Sequence, residues 1–91
     1  MKTAYIFTSS TCGACKKLKI LLDKNPVPYI EIDRDLPEHK NLWNEISQQL
    51  DSPRIPLLFI QDDNSGIGTA YLSREDWKSH EELIEIIKNN I

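Results

Sequence analysis

Hydrophobic and polar residues alternate along this chain in two periods, one suited to strands and one to helices. Thr3 to Thr8 is a short apolar run rich in β-forming residues and predicts a buried strand. Thr8-Ser9-Ser10-Thr11 follows, a cluster of small polar residues that turns a chain and caps a helix. From about Cys12 to Lys24 the apolar positions recur with helical spacing, and Asn25-Pro26 supplies the stop. Val27 to Asp33 predicts a second strand: Val27, Tyr29 and Glu31 alternate with Pro28, Ile30 and Ile32, and Pro28 lies near its start.

Asp35-Leu36-Pro37-Glu38 has the form of a capping box with a proline in the first turn. Leu42, Ile46 and Leu50 then recur at four-residue spacing beside Trp43, which predicts an amphipathic second helix. Leu57 to Gln61 is an unbroken strand-like run, Asp62 to Gly66 a turn, and Gly68 to Leu72 a returning strand. Two capping-box patterns, Ser73-Arg74-Glu75-Asp76 and Ser79-His80-Glu81-Glu82, precede the stripe Leu83, Ile84, Ile86, Ile87. Either serine can start the last helix, and a short turn from Ser73 with the main helix from Ser79 uses both.

The element order is β-α-β-α-β-β-α. Strands joined by a helix are expected to run parallel with a right-handed crossover, and the last two, joined by a short turn, antiparallel. The compact solution is an α/β fold, a mixed four-stranded sheet with helices on both faces.

With 91 residues, no interior linker and no repeat, residues 1–91 are expected to form a single domain. The net charge of −3 argues against a nucleic-acid partner, which calls for a basic face. The apolar start is too short for a signal peptide, and no segment is long enough to span a bilayer. A cytoplasmic, reducing location is the expectation, with no membrane partner and a monomeric state.

One short segment carries chemistry. Cys12-Gly13-Ala14-Cys15 holds both cysteines of the chain, between the first strand and a Lys-rich helix. In a βα context this spacing reads as a redox dithiol: one sulfur attacks a substrate and the other displaces it. A disulfide across so short a loop removes little chain entropy, about 2 kcal/mol, and staples no distant elements. A structural zinc site needs further ligands, and only His39 and His80 remain, far along the chain from the cysteines. No metal site is therefore expected.

At the start of the helix Cys12 meets unpaired N–H groups and the positive end of the helix dipole, which favour a thiolate. Cys15, grouped with Ala14, Leu18, Leu21 and Leu22 on the apolar face, is expected to be covered and to resolve the mixed disulfide. Gly13 and Ala14 leave access to Cys12, and Gly13 loosens the turn so that the two sulfurs can meet. Lys16, Lys17 and Lys19 near this helix start are read either as support for an anion or as an ordinary solvated face. His39 and His80 are expected to be solvated, and Trp43 and Trp77 to be packing residues.

The chain resembles the glutaredoxin branch of the thioredoxin superfamily. The resemblance rests on Thr11-Cys12-Gly13-Ala14-Cys15 after the first strand, Glu31-Ile32-Asp33 closing the second, and Ile55-Pro56 opening Leu57-Leu58-Phe59-Ile60. It implies a thioredoxin-like fold with strand order 2-1-3-4, and a proline, Pro56, that is cis and faces the attacking sulfur. It further implies a substrate-binding set of Thr11, Gly13, Arg54, Ile55 and Pro56, with the Ile55 backbone pairing to substrate like an added strand. Activity on glutathione or protein mixed disulfides follows, with no bound cofactor, glutathione as co-substrate and a reductase as a further partner.

Three family features are changed. Members that use glutathione commonly carry a lysine three residues before the first cysteine, a Thr-Val-Pro, and a Gly-Gly followed by an acidic pair. Here stand Ser9, Arg54-Ile55-Pro56, and Gly66-Ile67-Gly68 or Leu72-Ser73 leading to Glu75-Asp76. Arg54 is the candidate replacement for the missing lysine. A thioredoxin-like protein served by thioredoxin reductase, a glutathione-assisted iron-sulfur carrier and a binding module with an idle site are the alternatives.

Overall fold

In the computed structural model, which describes residues 1–50, 54–73 and 75–91, the elements are β1 (Lys2–Thr8), α1 (Gly13–Lys24), β2 (Ile30–Asp33), α2 (Lys40–Gln48), β3 (Leu57–Asp62), β4 (Gly68–Tyr71) and α3 (His80–Asn90). The sheet is four-stranded in the order β2-β1-β3-β4. β1 pairs parallel with β2 and antiparallel with β3, and β4 returns antiparallel on β3.

The strand alternation decides which side chain meets which helix layer. From β1 and β3, Ala4, Ile6, Leu58 and Ile60 point to the face where Leu18 and Leu22 of α1 and Leu83, Ile84 and Ile87 of α3 close the main core with Trp77. Phe7 and Leu57 point to the opposite face and form a smaller cluster with Ile32. Trp43, Ile46 and Leu50 cover that cluster only in part.

β2 and β3 are joined by a helix yet run in opposite directions, contrary to the parallel arrangement expected for every helix-linked pair. The register gives the reason. Thr8 is opposite Asp33 at the end of β2, and Phe7 is opposite Leu57 at the start of β3, so the α2 excursion leaves and re-enters the sheet at one end. That same end receives the turn from β1 into α1.

Local corrections are few. β2 begins at Ile30, not Val27, because only Ile30 to Asp33 pair with β1, although Val27 and Tyr29 still pack on the main core. The expected Asp35 capping box does not form. A 3-10 turn, Pro37–His39, begins instead at Leu36 without a side-chain cap, and α2 starts only at Lys40. Ser79 caps α3 by accepting the Glu82 N–H at 3.2 Å, while the Glu82 carboxylate accepts the Lys78 N–H. Ser73 sits in an isolated bridge with Trp77, and Arg74 of the first predicted box lies outside the described residues.

Candidate redox site

Cys12 is the N-cap of α1 rather than its first helical residue, with an extended backbone at φ −89° and ψ 109°. Its sulfur accepts the backbone N–H of Cys15 at 3.1 Å and so takes the place of a capping oxygen. Cys12 and Cys15 are joined as a disulfide, with their Cα atoms 5.3 Å apart. Cys15 is 1% exposed and Cys12 half-buried, the asymmetry expected from the helix pattern. Gly13 and Ala14 between them are exposed. Ala14 is therefore not on the buried face with Leu18 and Leu22; it lines a groove beside the disulfide.

That groove encloses about 600 Å³ and runs from Ala14 past Arg54, Ile55 and Pro56 to Ser73, Lys78 and His80. The Ile55–Pro56 peptide is cis. Arg54 lies at the groove edge and donates from one guanidinium nitrogen to the Ser73 carbonyl at 3.0 Å, which fixes its direction. Trp77 forms the floor as a packing residue, 3% exposed, with its indole N–H on the Tyr71 carbonyl. His80 was expected in solvent; its ring instead lies 5.9 Å from that of Trp77, and it lines the groove. No periodic signal marks His80, because its place depends on a tertiary contact with Trp77. His39, by contrast, is beside Glu38 on the 3-10 turn, away from the groove.

The lysines divide. Lys19 is paired with Glu31, which also accepts the Thr8 hydroxyl, so its charge is spent on tying α1 to β2. Burial raises the Glu31 pKa, but the bonds from Lys19 and Thr8 outweigh it and leave the carboxyl below its usual range. Lys16 and Lys17 are exposed on the first turns of α1. Thr11 is exposed at the mouth of the turn, and its hydroxyl lies 3.1 Å from that of Ser9. Among the described residues no cluster of potential metal ligands occurs, and no helix is long and apolar enough to cross a membrane.

The fold is shared with a solved thioredoxin from Thermus thermophilus at a TM-score of 0.65 and 13% identity, over 98% of this chain and 72% of that one. No curated protein matches the sequence. The family model for glutaredoxin matches residues 4–64, a span that takes in most of β1, the cysteine pair, α1, β2, α2, the cis proline and β3. With the family model covering most of the sequence and the fold agreeing, the chain belongs to the glutaredoxin family.

Proposed function

We propose that this chain is a dithiol oxidoreductase that reduces glutathione or protein mixed disulfides, with Cys12 as nucleophile and Cys15 as resolving thiol. The carrying observation is the unequal pair: a half-buried capping sulfur that accepts an N–H, joined to a buried one, beside an open groove. An N–H donated to sulfur stabilises the anion more than the thiol, and the helix start adds its dipole.

In the first step the Cys12 thiolate attacks a substrate disulfide. A new S–S bond forms to Cys12, and the other substrate sulfur leaves as a thiolate. Cys15, once deprotonated, attacks the Cys12 sulfur, expels the second substrate thiolate and closes the internal disulfide. Two electrons pass to substrate, and two glutathione thiols restore the pair and leave as glutathione disulfide.

The Ile55 backbone would pair with the substrate chain, and Thr11 and Gly13 would border it from the α1 side. Arg54 supports glutathione as the co-substrate. One of its N–H groups donates to Ser73, and a guanidinium carries further donors in a fork that suits a carboxylate, in place of the lysine that Ser9 replaces.

Electrons fed in parallel from glutathione with its reductase and from thioredoxin reductase, with a disulfide dye as acceptor, test the reading. Glutathione-driven turnover is expected, absent in Cys12→Ser and reduced in Arg54→Ala, while Cys15→Ser accumulates a mixed disulfide. Turnover with thioredoxin reductase alone would assign the protein to that system instead.

A further inference from the structure

Asp35 carries a carboxylate that the function above does not use. By sequence it belongs to a helix cap, yet no side chain caps the 3-10 turn and Leu36 stands at the cap position. The Asp35 carboxylate instead bonds the hydroxyl of Ser9, a residue only 4% exposed in the turn leading to Cys12. The Ser9 carbonyl accepts the Cys12 N–H at 3.1 Å, and the Ser9 hydroxyl oxygen accepts the Thr11 N–H at 3.3 Å.

The direction of each bond follows from the donors present. A carboxylate only accepts, so the single Ser9 hydroxyl hydrogen goes to Asp35. The Ser9 lone pairs are thereby left for the Thr11 N–H and hydroxyl. Asp35 is itself anchored, because its N–H rests on the Asp33 carboxylate at 2.9 Å and the Arg34 N–H on the Thr8 carbonyl at 2.9 Å. The end of β2 therefore holds the turn that sets Cys12 at the cap of α1.

We propose that Asp35 is a positioning residue of the redox site: through the Ser9 hydroxyl it fixes the Ser9 to Cys12 turn, and so keeps the Cys12 sulfur on the Cys15 N–H. The proposal rests on Cys12 being the attacking thiol. Its charge and its geometry act in opposite senses. A nearby anion disfavours a thiolate, whereas a correctly placed cap favours one. Removing the carboxylate by a change that keeps the acceptor separates the two.

The experiment measures the alkylation rate of Cys12 against pH in the reduced full chain, by iodoacetamide labelling and peptide mapping, in wild type, Asp35→Ala, Asp35→Asn, Ser9→Ala and the Ser9→Ala/Asp35→Ala double variant. Thermal unfolding is recorded on the same samples. Asp35→Ala and Ser9→Ala are each expected to raise the midpoint by about half a pH unit, a rate about threefold slower at pH 6. The double variant should be no slower than either single one, because both remove the same link.

Asp35→Asn, whose amide oxygen still accepts the Ser9 hydrogen but carries no charge, should leave the midpoint at or below that of wild type. A midpoint unchanged in Asp35→Ala, even with a lower melting temperature, would show a purely structural role and overturn the proposal. So would Asp35→Asn matching Asp35→Ala, or the two variants both shifting downward, which is the signature of charge alone. Failure of the underlying assignment is read separately, in wild type, as Cys15 labelling ahead of Cys12.

Discussion

The two faces of the sheet are built to different standards, and the redox site depends on the better one. On one face α1 and α3 bury Leu18, Leu22, Leu83, Ile84 and Ile87 against Ala4, Ile6, Leu58 and Ile60. On the other, α2 has no fully buried residue, and Leu42 at its start is 40% exposed. An open groove of about 740 Å³ remains there over Tyr5, Phe7 and Phe59. Cys15 is anchored in α1 and so inherits the rigidity of the first face. Disulfide exchange needs two sulfurs held at bonding distance, and a helix locked along its length supplies that more firmly than one resting on a partly open layer.

Truncation on each face gives the largest contrast. Leu18→Ala removes a wholly buried side chain of α1 and is expected to cost about 2–5 kcal/mol in denaturant unfolding. Ile46→Ala on α2 removes a half-buried one beside open space and should cost about 1 kcal/mol, since part of its surface already meets water. Equal losses would mean that the two faces are equally packed. Leu18→Ala should also slow disulfide exchange in the protein that remains folded, whereas Ile46→Ala should not.

Overpacking sharpens the same contrast. A Cβ added at Gly68 would sit 2.0 Å from the Cζ tip of the Phe59 ring, so Gly68→Ala must move that ring. The ring borders the open groove and has room to turn into it. The cost should fall below the about 1–3 kcal/mol typical of overfilled cores. A larger loss, measured by the same unfolding assay, would show that Phe59 is held more tightly than the groove implies.

The cap of α3 acts on the packed face. Ser79→Ala frees the Glu82 N–H and is expected to cost about 1 kcal/mol in the same unfolding assay. Recovery of most of that loss in Ser79→Asp would tie it to the cap rather than to packing.

What could be read from the chain follows the same division. The α1 face was legible because its stripes are long: Leu18 and Leu22, then Leu83, Ile84 and Ile87, each continue a period that only one packing satisfies. The cysteine pair was legible because spacing alone dictates that chemistry. The Asp35 segment was misread because a capping box is a local pattern, and a tertiary partner, the Ser9 hydroxyl, took its carboxylate. The opposed direction of β3 was also missed. Nothing local in residues 34–56 records that the excursion returns to the end of the sheet it left.

The smallest expected effect is an acid titration of the packed face. Glu31 joins β2 to Lys19 of α1, and its folded pKa lies below the ordinary value of 4.5. A depressed carboxyl contributes stability that is fully present above the unfolded pKa and is lost as pH falls through the folded one. The stability difference between wild type and Glu31→Gln should therefore be constant near neutrality and shrink below about pH 4.5, and high salt should reduce it because the pair is partly exposed. Tyr29 supplies an independent reading. Its pKa is raised by burial first and by the Glu31 charge next, so in Glu31→Gln the phenol should ionise at lower pH than in wild type while staying above its free value. An unchanged Tyr29 titration, followed by phenolate absorbance, would mean that the Glu31 charge does not reach it and that Lys19 already neutralises it at the edge of this face.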